Sequence, residues 1–290
     1  MRLALVGPVY PYRGGIAHYT MKLFKALREQ QHEILLISFK RQYPKWLFPG
    51  QDDKDFSNNE LEITEANYWI DSLNPYTWLK TFMKLKCYDP DVLILQWWTN
   101  FWLPVWLTLS LLNSIFLRSP IIYICHNVTP HESNCWDDFL AWLVLRWGQA
   151  FVVQSPDEKQ KLKSILPNAK TYIYALPIYD IFSKGKISRE VARSKLCLLS
   201  DAPTLLFFGF IREYKGLRYL LKAFAIARTE LPQLQLLVAG EFWESKDKYV
   251  QLIERLEIGD GVHLEDRYIP DREVPLFFSA ADVLVIPYHH

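Results

Sequence analysis

The sequence lacks an excess of charge of either sign. Its 290 residues include 33 lysines and arginines and 32 aspartates and glutamates, so the formal net charge at pH 7 is +1. Proteins that bind nucleic acid through its phosphates concentrate positive charge. The composition therefore predicts no nucleic-acid partner.

Cysteine is scarce, and its spacing excludes the common cysteine sites. The four cysteines are Cys87, Cys125, Cys135 and Cys197. No two of them form a C-x-x-C pair, and together they do not have the spacing of a zinc site. We interpret them as reduced thiols, which predicts a cytoplasmic protein.

Two common ligand-binding motifs are also missing. His126, His131 and Glu132 could hold a metal, but they lack the H-E-x-x-H spacing of a zinc helix, so we expect no metal. The turn that ends in Gly14 and Gly15 is not G-x-G-x-x-G, so a dinucleotide cofactor is not predicted.

No apolar run is long enough to cross a membrane. The N-terminal MRLALVGPVYPYRGG breaks early into Pro, Tyr, Arg and Gly, unlike a signal peptide. The most apolar stretch, residues 101–117, is shorter than the ~20 residues of a span and lies between two strand-like runs. It predicts a buried crossover helix between parallel strands.

Short apolar runs alternate with amphipathic stretches in both halves of the chain, which predicts parallel sheets covered by helices on both faces. Strands are predicted at 2–7, 33–39, 92–96, 121–125, 150–154, 170–174, 204–208, 234–239, 262–265 and 282–286. We predict a first domain at 1–175, a linker at 176–202 and a second domain at 203–290. The polar and aromatic residues 40–75 predict a long irregular loop.

The stretch from Leu205 to Gly216 predicts an anion site. Its apolar strand ends at Gly209, and Arg212 and Lys215 follow on a loop. Gly216 precedes an amphipathic helix, whose free N–H groups and positive end attract phosphate. The alternative is that both cations are ordinary solvated surface residues.

Other polar or glycine residues follow strands. The pair Gly14 and Gly15 allows a ligand to approach the backbone, or only makes a tight turn. His126 follows a strand at the edge where open α/β sheets bind ligands, or it caps nearby carbonyls. Glu241 follows a strand of the second half and either faces a ligand hydroxyl or caps the next helix.

Taken in this order, these features resemble the family 4 glycosyltransferases, which are retaining enzymes of the GT-B fold. The features are the Gly-Gly loop, the H-N pair after an inner strand, and F-G-x-x-R-x-x-K-G in the second half. The strings YPKWLFPG, NPYTWLK, QWWTNFW, HNVTPHE, GEFWE and DRYIP resemble one bacterial subgroup. The resemblance covers essentially the whole chain and implies two Rossmann-like parallel-sheet domains facing a cleft.

The resemblance also implies roles for individual residues. The substrate-binding positions that it implies are Gly14, Gly15, Gly209, Arg212, Lys215, Glu241 and Ile269. Arg212 and Lys215 would hold the donor diphosphate, and the backbone near Tyr268 and Ile269 would lie by the base. His126 would be the catalytic residue that faces the transferred sugar. No cofactor or metal is expected, because the cations and the helix dipole do the work that Mg²⁺ does elsewhere.

The predicted function is transfer of a sugar, with retention, from a nucleotide-diphosphate sugar to a lipid-linked or polysaccharide-precursor acceptor of the cell envelope. Two alternatives stay open: a catalytically inactive fragment that acts as a binding module, and a nucleotide-sugar epimerase of the same fold. The family carries a pair of glutamates beyond the strand that ends here at Ile286, and this sequence ends before both. We therefore expect a C-terminally truncated, incomplete second domain and no sugar transfer by this polypeptide as it stands.

Aromatic density predicts peripheral contact with the inner face of the membrane. Tryptophan and tyrosine are concentrated in Trp97–Trp106 and Tyr43–Phe48, and amphipathic rings favour the membrane interface. The alternative is that these tryptophans form the core.

Overall fold

The computed structural model describes residues 1–48, 50, 52–57, 63–129, 136–179, 182 and 187–288. Contacts between residues divide the chain into two compact units. The first unit comprises Met1–Phe48 and Asp52–Ile178, and the second extends from Tyr179 to His290. Each unit has its own parallel sheet, so the α/β class predicted from the alternating apolar runs is confirmed.

The sheet of the first unit has seven strands, all parallel. They are β1 (Arg2–Val6), β2 (Glu33–Arg41), β3 (Asn67–Asp71), β4 (Val92–Trp97), β5 (Ile121–Cys125), β6 (Ala150–Val153) and β7 (Thr171–Ile173). Their order across the sheet is β3-β2-β1-β4-β5-β6-β7. The strands β1 and β4 are buried along nearly their whole length. This burial explains why their sequences are continuous apolar runs rather than alternating ones.

The helices described in the first unit are α1 (Gly15–Glu29), α2 (Pro75–Tyr88), α3 (Leu103–Phe116), α4 (Asp137–Leu145) and α5 (Pro156–Ile165). The start of α5 follows directly from its sequence. Ser155 Oγ accepts a hydrogen bond from the amide of Glu158 at 3.2 Å, and Pro156 occupies the first helical position. This is the N-cap that the string SPDE predicts.

The prediction of an irregular loop over residues 40–75 is wrong in part, because β3 lies within this range. Asn67–Asp71 pairs in parallel with β2, with register shifts on either side of Phe39. The strand ends at Asp71, whose carboxylate accepts two hydrogen bonds from Arg41 at 2.9 and 2.6 Å. As an edge strand, β3 is partly exposed and polar, so its sequence does not show the apolar run of an inner strand.

The tryptophans near α3 lie in the core of the first unit. Trp97, Trp102 and Trp106 are fully buried. The ring centroids of Phe39 and Trp102 are 4.3 Å apart, and Trp98 packs against the same rings. The tryptophans of Trp97–Trp106 are therefore core, as the alternative has it, whereas Trp46 of the second stretch, Tyr43–Phe48, is 79% exposed.

The helix α3 connects the neighbouring parallel strands β4 and β5. This confirms the prediction of a crossover helix for the most apolar stretch of the sequence. In the part of the chain that the structure describes, no helix combines the length and the apolar character that crossing a membrane requires.

The second unit has a four-stranded parallel sheet in the order β10-β9-β8-β11. The strands are β8 (Thr204–Phe208), β9 (Gln235–Ala239), β10 (Val262–Glu265) and β11 (Val283–Leu284). The helices are α6 (Arg189–Lys195), α7 (Leu217–Glu230), α8 (Asp247–Arg255) and α9 (Val274–Ala280). The apolar face predicted for α7 is buried, with Leu217, Leu220, Leu221 and Phe224 in the core.

The linker predicted over residues 176–202 is not irregular throughout, because it contains α6. Ser188 Oγ accepts from the amide of Val191 at 3.3 Å and caps this helix. Arg193 on α6 is 1% exposed. Its guanidinium donates to Ala280 O at 3.0 Å and to the carboxylate of Asp282 at 2.8 Å. The helix therefore packs into the second unit.

Both sheets reverse their strand order beside the first strand of the unit. In the first sheet the chain moves outward from β1 to β3 and restarts at β4 on the other side of β1. In the second sheet it moves from β8 to β10 and restarts at β11 on the other side of β8. Open α/β sheets bind ligands beyond the carboxyl ends of their strands at such a point. Each unit therefore has one edge where a site is expected.

Candidate functional site

In the second unit, the segments that follow β8 and β9 stay paired beyond the strands. The amide of Gly209 donates to Ala239 O at 2.9 Å. The amide of Ile211 donates to Glu241 O, also at 2.9 Å. Gly240 has a φ of +150°, and a Cβ there would stand 2.1 Å from Gly209 O. Only glycine fits so close a contact, so the loop after β8 is held rigidly against its neighbour.

Gly216 closes the loop that carries Arg212 and Lys215. Its φ is +75°, in the left-handed region, and a Cβ there would stand 2.0 Å from Pro287 O. The segment after β11 therefore lies against the start of α7, where the strand order reverses. As the N-cap of α7, Gly216 has no side chain to bond the first amides, and the first turn holds no acidic residue. The amide of Tyr219 donates to Gly216 O at 2.9 Å, so the first-turn amides that can bind an anion are those of Leu217 and Arg218.

Arg212 and Lys215 add two positive charges at this helix end. A Cβ on Gly209 would stand 3.1 Å from Lys215 Nζ, so the amine lies over the loop backbone. Burial and the neighbouring Arg212 lower the pKa of Lys215 to about 8. Within the described residues, neither side chain forms an ion pair with a carboxylate. A desolvated ammonium without a counter-ion is costly, and a bound anion relieves that cost.

A row of aromatic rings extends from Arg212. The guanidinium lies 4.6 Å from the ring centroid of Trp243. Trp243 stacks on Phe210 with centroids 4.2 Å apart, and Phe210 faces Tyr268 at 6.4 Å. Sequence reasoning missed Phe210 and Trp243, although both lie in the segments that follow the strands β8 and β9. A cation beside stacked rings matches a nucleotide, which offers both phosphate charge and the π face of a base.

Glu241 and Ile269 are placed differently from the cations. Glu241 is buried, and its carboxylate accepts a hydrogen bond from Trp243 Nε1 at 3.4 Å. The side chain of Ile269 belongs to an apolar cluster with Leu206 and Phe277. Only the backbone of Ile269 is therefore available to a ligand, which is the contact that the family resemblance implies for it.

In the first unit, polar side chains meet beyond the carboxyl ends of β4, β5 and β6. His126 Nε2 donates to Gln96 Oε1 at 2.7 Å, and Gln154 Nε2 donates to His126 Nδ1 at 2.7 Å. Gln96 Nε2 in turn donates to Thr20 Oγ1 on α1 at 2.6 Å. The ring of Tyr19 packs edge-on against the imidazole, with centroids 5.0 Å apart. We call the pair Gln96 and Gln154 the glutamine clamp.

The glutamine clamp fixes the protonation state of His126. The amide oxygen of Gln96 only accepts and the amide nitrogen of Gln154 only donates, so the imidazole carries its proton on Nε2. Burial lowers the pKa of His126 to about 4, so the ring is neutral near pH 7. Both ring nitrogens of His126 are therefore hydrogen-bonded within the glutamine clamp.

Sequence reasoning singled out His126 but missed the glutamine clamp. Gln96 lies near the end of the apolar run VLILQW, and Gln154 follows the run AFVV. Parallel strands end at the same edge of a sheet, so polar residues at the ends of neighbouring strands meet there. That rule would have grouped the three side chains, had the strand order been known.

The structure explains why two positions after β1 are occupied by glycine. A Cβ on Gly7 would stand 2.3 Å from Gln96 Nε2, so this glycine makes room for the clamp. Gly14 has a φ of +99°, and nothing lies within 4 Å of the position its Cβ would take. Open space before a left-handed glycine allows a ligand to reach the backbone. Gly15 begins α1 directly after it.

We predict that Gly7→Ala destabilises the first unit and releases His126. The added methyl must displace the amide of Gln96, which breaks the hydrogen bond to His126 Nε2. We expect the free energy of unfolding to fall by about 1–3 kcal/mol, and the imidazole of His126 to lose the single tautomer that the glutamine clamp imposes. Urea unfolding and ¹⁵N shifts of the imidazole measure the two effects. Gly259→Ala is the control, because its Cβ would meet only Ile253 Cγ2 at 3.8 Å. Unchanged stability together with an unchanged imidazole tautomer in Gly7→Ala would contradict this account.

The metal ligands considered from the sequence can be placed only in part. His126 lies between Gln96 and Gln154 of the glutamine clamp, whereas His131 and Glu132 lie outside the described residues. Among the residues that the structure does describe, no group of three or more His, Cys, Asp or Glu side chains is arranged to hold a metal ion.

The chain matches two models of protein families. Residues 13–175 match the model described as Glycosyltransferase Family 4, and residues 188–290 match the model described as Glycosyl transferases group 1. The first match covers more than half of the chain, and the chain therefore belongs to glycosyltransferase family 4. The resemblance stated from the sequence is confirmed.

Known proteins support the same placement. An uncharacterized glycosyltransferase of Methanocaldococcus jannaschii is 24% identical over 285 residues, which cover 91% of this chain and 63% of that protein. The chain thus spans less than two thirds of this relative. HepE of Anabaena, solved with UDP-glucose, has a TM-score of 0.71 at 15% identity, covering 98% of this chain and 73% of its own. Sucrose-phosphate synthase of Thermosynechococcus elongatus has a TM-score of 0.64 at 17% identity, covering 99% and 75%. These likenesses establish the GT-B fold.

Proposed function

We propose that the second unit binds the nucleotide-diphosphate sugar donor of a glycosyltransferase that acts with retention. The observation that carries the proposal is the pair of cations, Arg212 and Lys215, at the N-terminus of α7 without a carboxylate partner among the described residues. HepE of Anabaena, which shares the fold, was solved with UDP-glucose. We propose that the diphosphate lies on the two cations and that the base lies near Phe210 and Tyr268.

The charges of this loop favour cleavage of the donor. When the bond between sugar and diphosphate breaks, negative charge accumulates on the leaving phosphate. Arg212, Lys215 and the first-turn amides of α7 stabilise that charge more strongly in the transition state than in the bound donor. Because the loop already carries this charge, we propose that the reaction uses no metal and no cofactor.

For His126 we propose contact with the transferred sugar through a neutral, fixed imidazole. The glutamine clamp occupies both ring nitrogens, so the residue orients rather than exchanges a proton. The epimerase alternative needs a group that moves a proton at the sugar, and the clamp does not favour that role. The geometry therefore favours transfer over epimerisation.

We propose that the acceptor is lipid-linked or a polysaccharide precursor, and that the protein meets it at the inner face of the membrane. Gly14 and Gly15 are the proposed contact of the first unit, supported by the open space in front of Gly14. The loop is held firmly for such a role. Arg13 donates to Lys54 O at 2.8 Å and to Asp52 O at 2.6 Å, which fixes the turn before the glycines.

The proposed function is tested by screening the chain against nucleotide-diphosphate sugars with polyprenyl phosphate and oligosaccharide acceptors. Mass spectrometry detects product and free nucleoside diphosphate, and NMR of the anomeric proton reports whether configuration is retained. Donor binding without transfer or hydrolysis would support the alternative of a non-catalytic binding module. Absence of binding by every donor would overturn the proposal.

We predict that nucleoside-diphosphate binding weakens above pH 8. The pKa of Lys215 is lowered to about 8 in the free protein, and a bound anion raises it again. Affinity is therefore highest while the amine is protonated, and falls by up to about tenfold per pH unit above that value. Calorimetry between pH 7 and pH 10 measures the change. Lys215→Arg keeps the charge at high pH and should abolish the decline; a decline that persists in this variant would assign it to another group.

A further inference from the structure

A groove in the first unit lies between the edge strand β3 and the helix α2, and it encloses about 230 Å³. Its lining combines the lysines Lys40, Lys80 and Lys84 with Trp69, Tyr76 and Thr81. Neither the donor site nor the glutamine clamp uses any of these residues. The combination of ammonium groups, aromatic rings and hydroxyls has the character of an anion site.

The charged side chains that line this groove are lysines. The helix α2 carries Lys80, Lys84 and Lys86 and no acidic residue, and the neighbouring α3 carries no charged residue. Asp71, at the end of β3, has its carboxylate bound by Arg41 through two hydrogen bonds. Since Arg41 and Asp71 neutralise each other, the lysines leave the groove positively charged.

Thr81 provides an independent sign of a ligand. Its side chain is fully buried and lines the groove, and its Oγ1 has no hydrogen-bond partner among the described residues. Buried hydroxyls are normally paired. Beside it, Lys84 Nζ lies 3.6 Å from the ring centroid of Trp69, which holds the ammonium group at the groove. The hydroxyl of Thr81 and the ammonium group of Lys84 can together bind the oxygens of one phosphate group.

An exposed apolar stripe on α2 adjoins the groove. Tyr76, Leu79 and Met83 are 69%, 50% and 56% exposed and recur at helical spacing. At 100° per residue, Lys80 and Lys84 lie on one side of this stripe and Lys86 on the other. Lys86 Nζ lies over the ring of Phe116 on α3, which is also exposed. Apolar side chains flanked by lysines on both sides form the surface of a helix that lies in a membrane interface.

We propose that this face of α2 docks on a membrane of anionic phospholipid, with a headgroup phosphate seated in the groove. Tyr76, Leu79 and Met83 enter the interface, while Lys80, Lys84 and Lys86 contact headgroups. The apolar stripe distinguishes a lipid surface from a soluble phosphate, which needs no apolar contact. The proposal rests on the proposed function only in placing the acceptor at a membrane, and it moves the membrane contact from the buried tryptophans to α2.

The test is flotation of the full chain with vesicles of phosphatidylcholine, with and without phosphatidylglycerol. We expect binding that depends on phosphatidylglycerol and weakens at raised salt. Each lysine near a charged surface contributes about fivefold, so K80Q with K84Q should lower the partition coefficient about thirtyfold. K161Q with K163Q on α5 removes the same charge and should leave binding unchanged. L79S with M83S should weaken binding at every salt concentration, and Thr81→Val should weaken binding to anionic vesicles alone.

Several outcomes would overturn the proposal. Equal binding to vesicles with and without phosphatidylglycerol would show that the groove does not bind an anionic headgroup. Unchanged binding by K80Q with K84Q would show that the membrane contact lies elsewhere on the protein. Saturable binding of glycerol 3-phosphate without flotation would assign the groove to a soluble anion. Circular dichroism confirms that each variant is folded. Calorimetry with UDP separates this proposal from the donor site, since K80Q with K84Q should bind UDP normally and R212A with K215A should still float.

Discussion

Replacing Arg212 and Lys215 together with alanine should weaken the binding of a nucleoside diphosphate by about 100-fold or more. A hydrogen bond to a charged group contributes about 1.5–3 kcal/mol. Lys215 is the more buried of the two and should account for the larger share, whereas Arg212 is exposed and its contact is screened by solvent. Calorimetric titration with UDP and ADP measures the loss.

The control for this pair is Lys222→Ala with Arg255→Ala. Both side chains are exposed on α7 and α8, so the variant loses the same net charge without touching the loop. It should bind within about twofold of the unchanged chain, because distant surface charges are screened at physiological salt. Equal losses of affinity in the two double variants would mean that only net charge matters. Unchanged affinity in R212A with K215A would show that this loop is not the donor site.

Arg193→Ala should destabilise the second unit by about 3–5 kcal/mol, because it leaves a cavity where the buried side chain was and takes the donor from the carbonyls of Ala280 and Ser200. The guanidinium donates to Ala280 O at 3.0 Å. Asp282 Oδ2 accepts from the amide of Thr204 at 2.8 Å. One buried arginine thus connects α6 with the first strand of the sheet and with the segment before β11. Urea unfolding followed by circular dichroism measures the loss.

Arg189→Ala is the matched control for Arg193→Ala. Arg189 contacts the same carboxylate from the same helix, but its side chain is 47% exposed. An exposed ion pair contributes about 0–1 kcal/mol, so this variant should unfold almost as the unchanged chain does. If both variants lost the same stability, burial would not be the reason for the importance of Arg193.

The sequence predicts most of the fold because the inner strands are buried on both faces. Short apolar runs such as LALV and LLFF, which alternate with amphipathic stretches, predict buried parallel strands. The two missed elements lack that signal. The edge strand β3 is polar and partly exposed, and α6 is a short helix whose core contact is a charged residue, Arg193. Composition alone treats a buried arginine as a surface residue.

The candidate site is predictable only where one local segment forms it. Arg212, Lys215 and Gly216 lie within a few residues of one another, so the anion loop can be read directly from the sequence. The glutamine clamp comes from strands that are far apart in sequence, and grouping it with His126 requires the strand order. The buried position of the tryptophans in QWWTNFW is likewise a matter of packing, since aromatic residues are common both in cores and at membrane interfaces.

The most direct test of the donor site is amide hydrogen exchange of the full chain with and without saturating UDP. The diphosphate should bind the first-turn amides of α7 and order the loop before it. The expected result is protection of peptides that cover residues 209–220, with loss of that protection in R212A with K215A. Binding of UDP that leaves residues 209–220 unprotected and protects another segment would contradict the account.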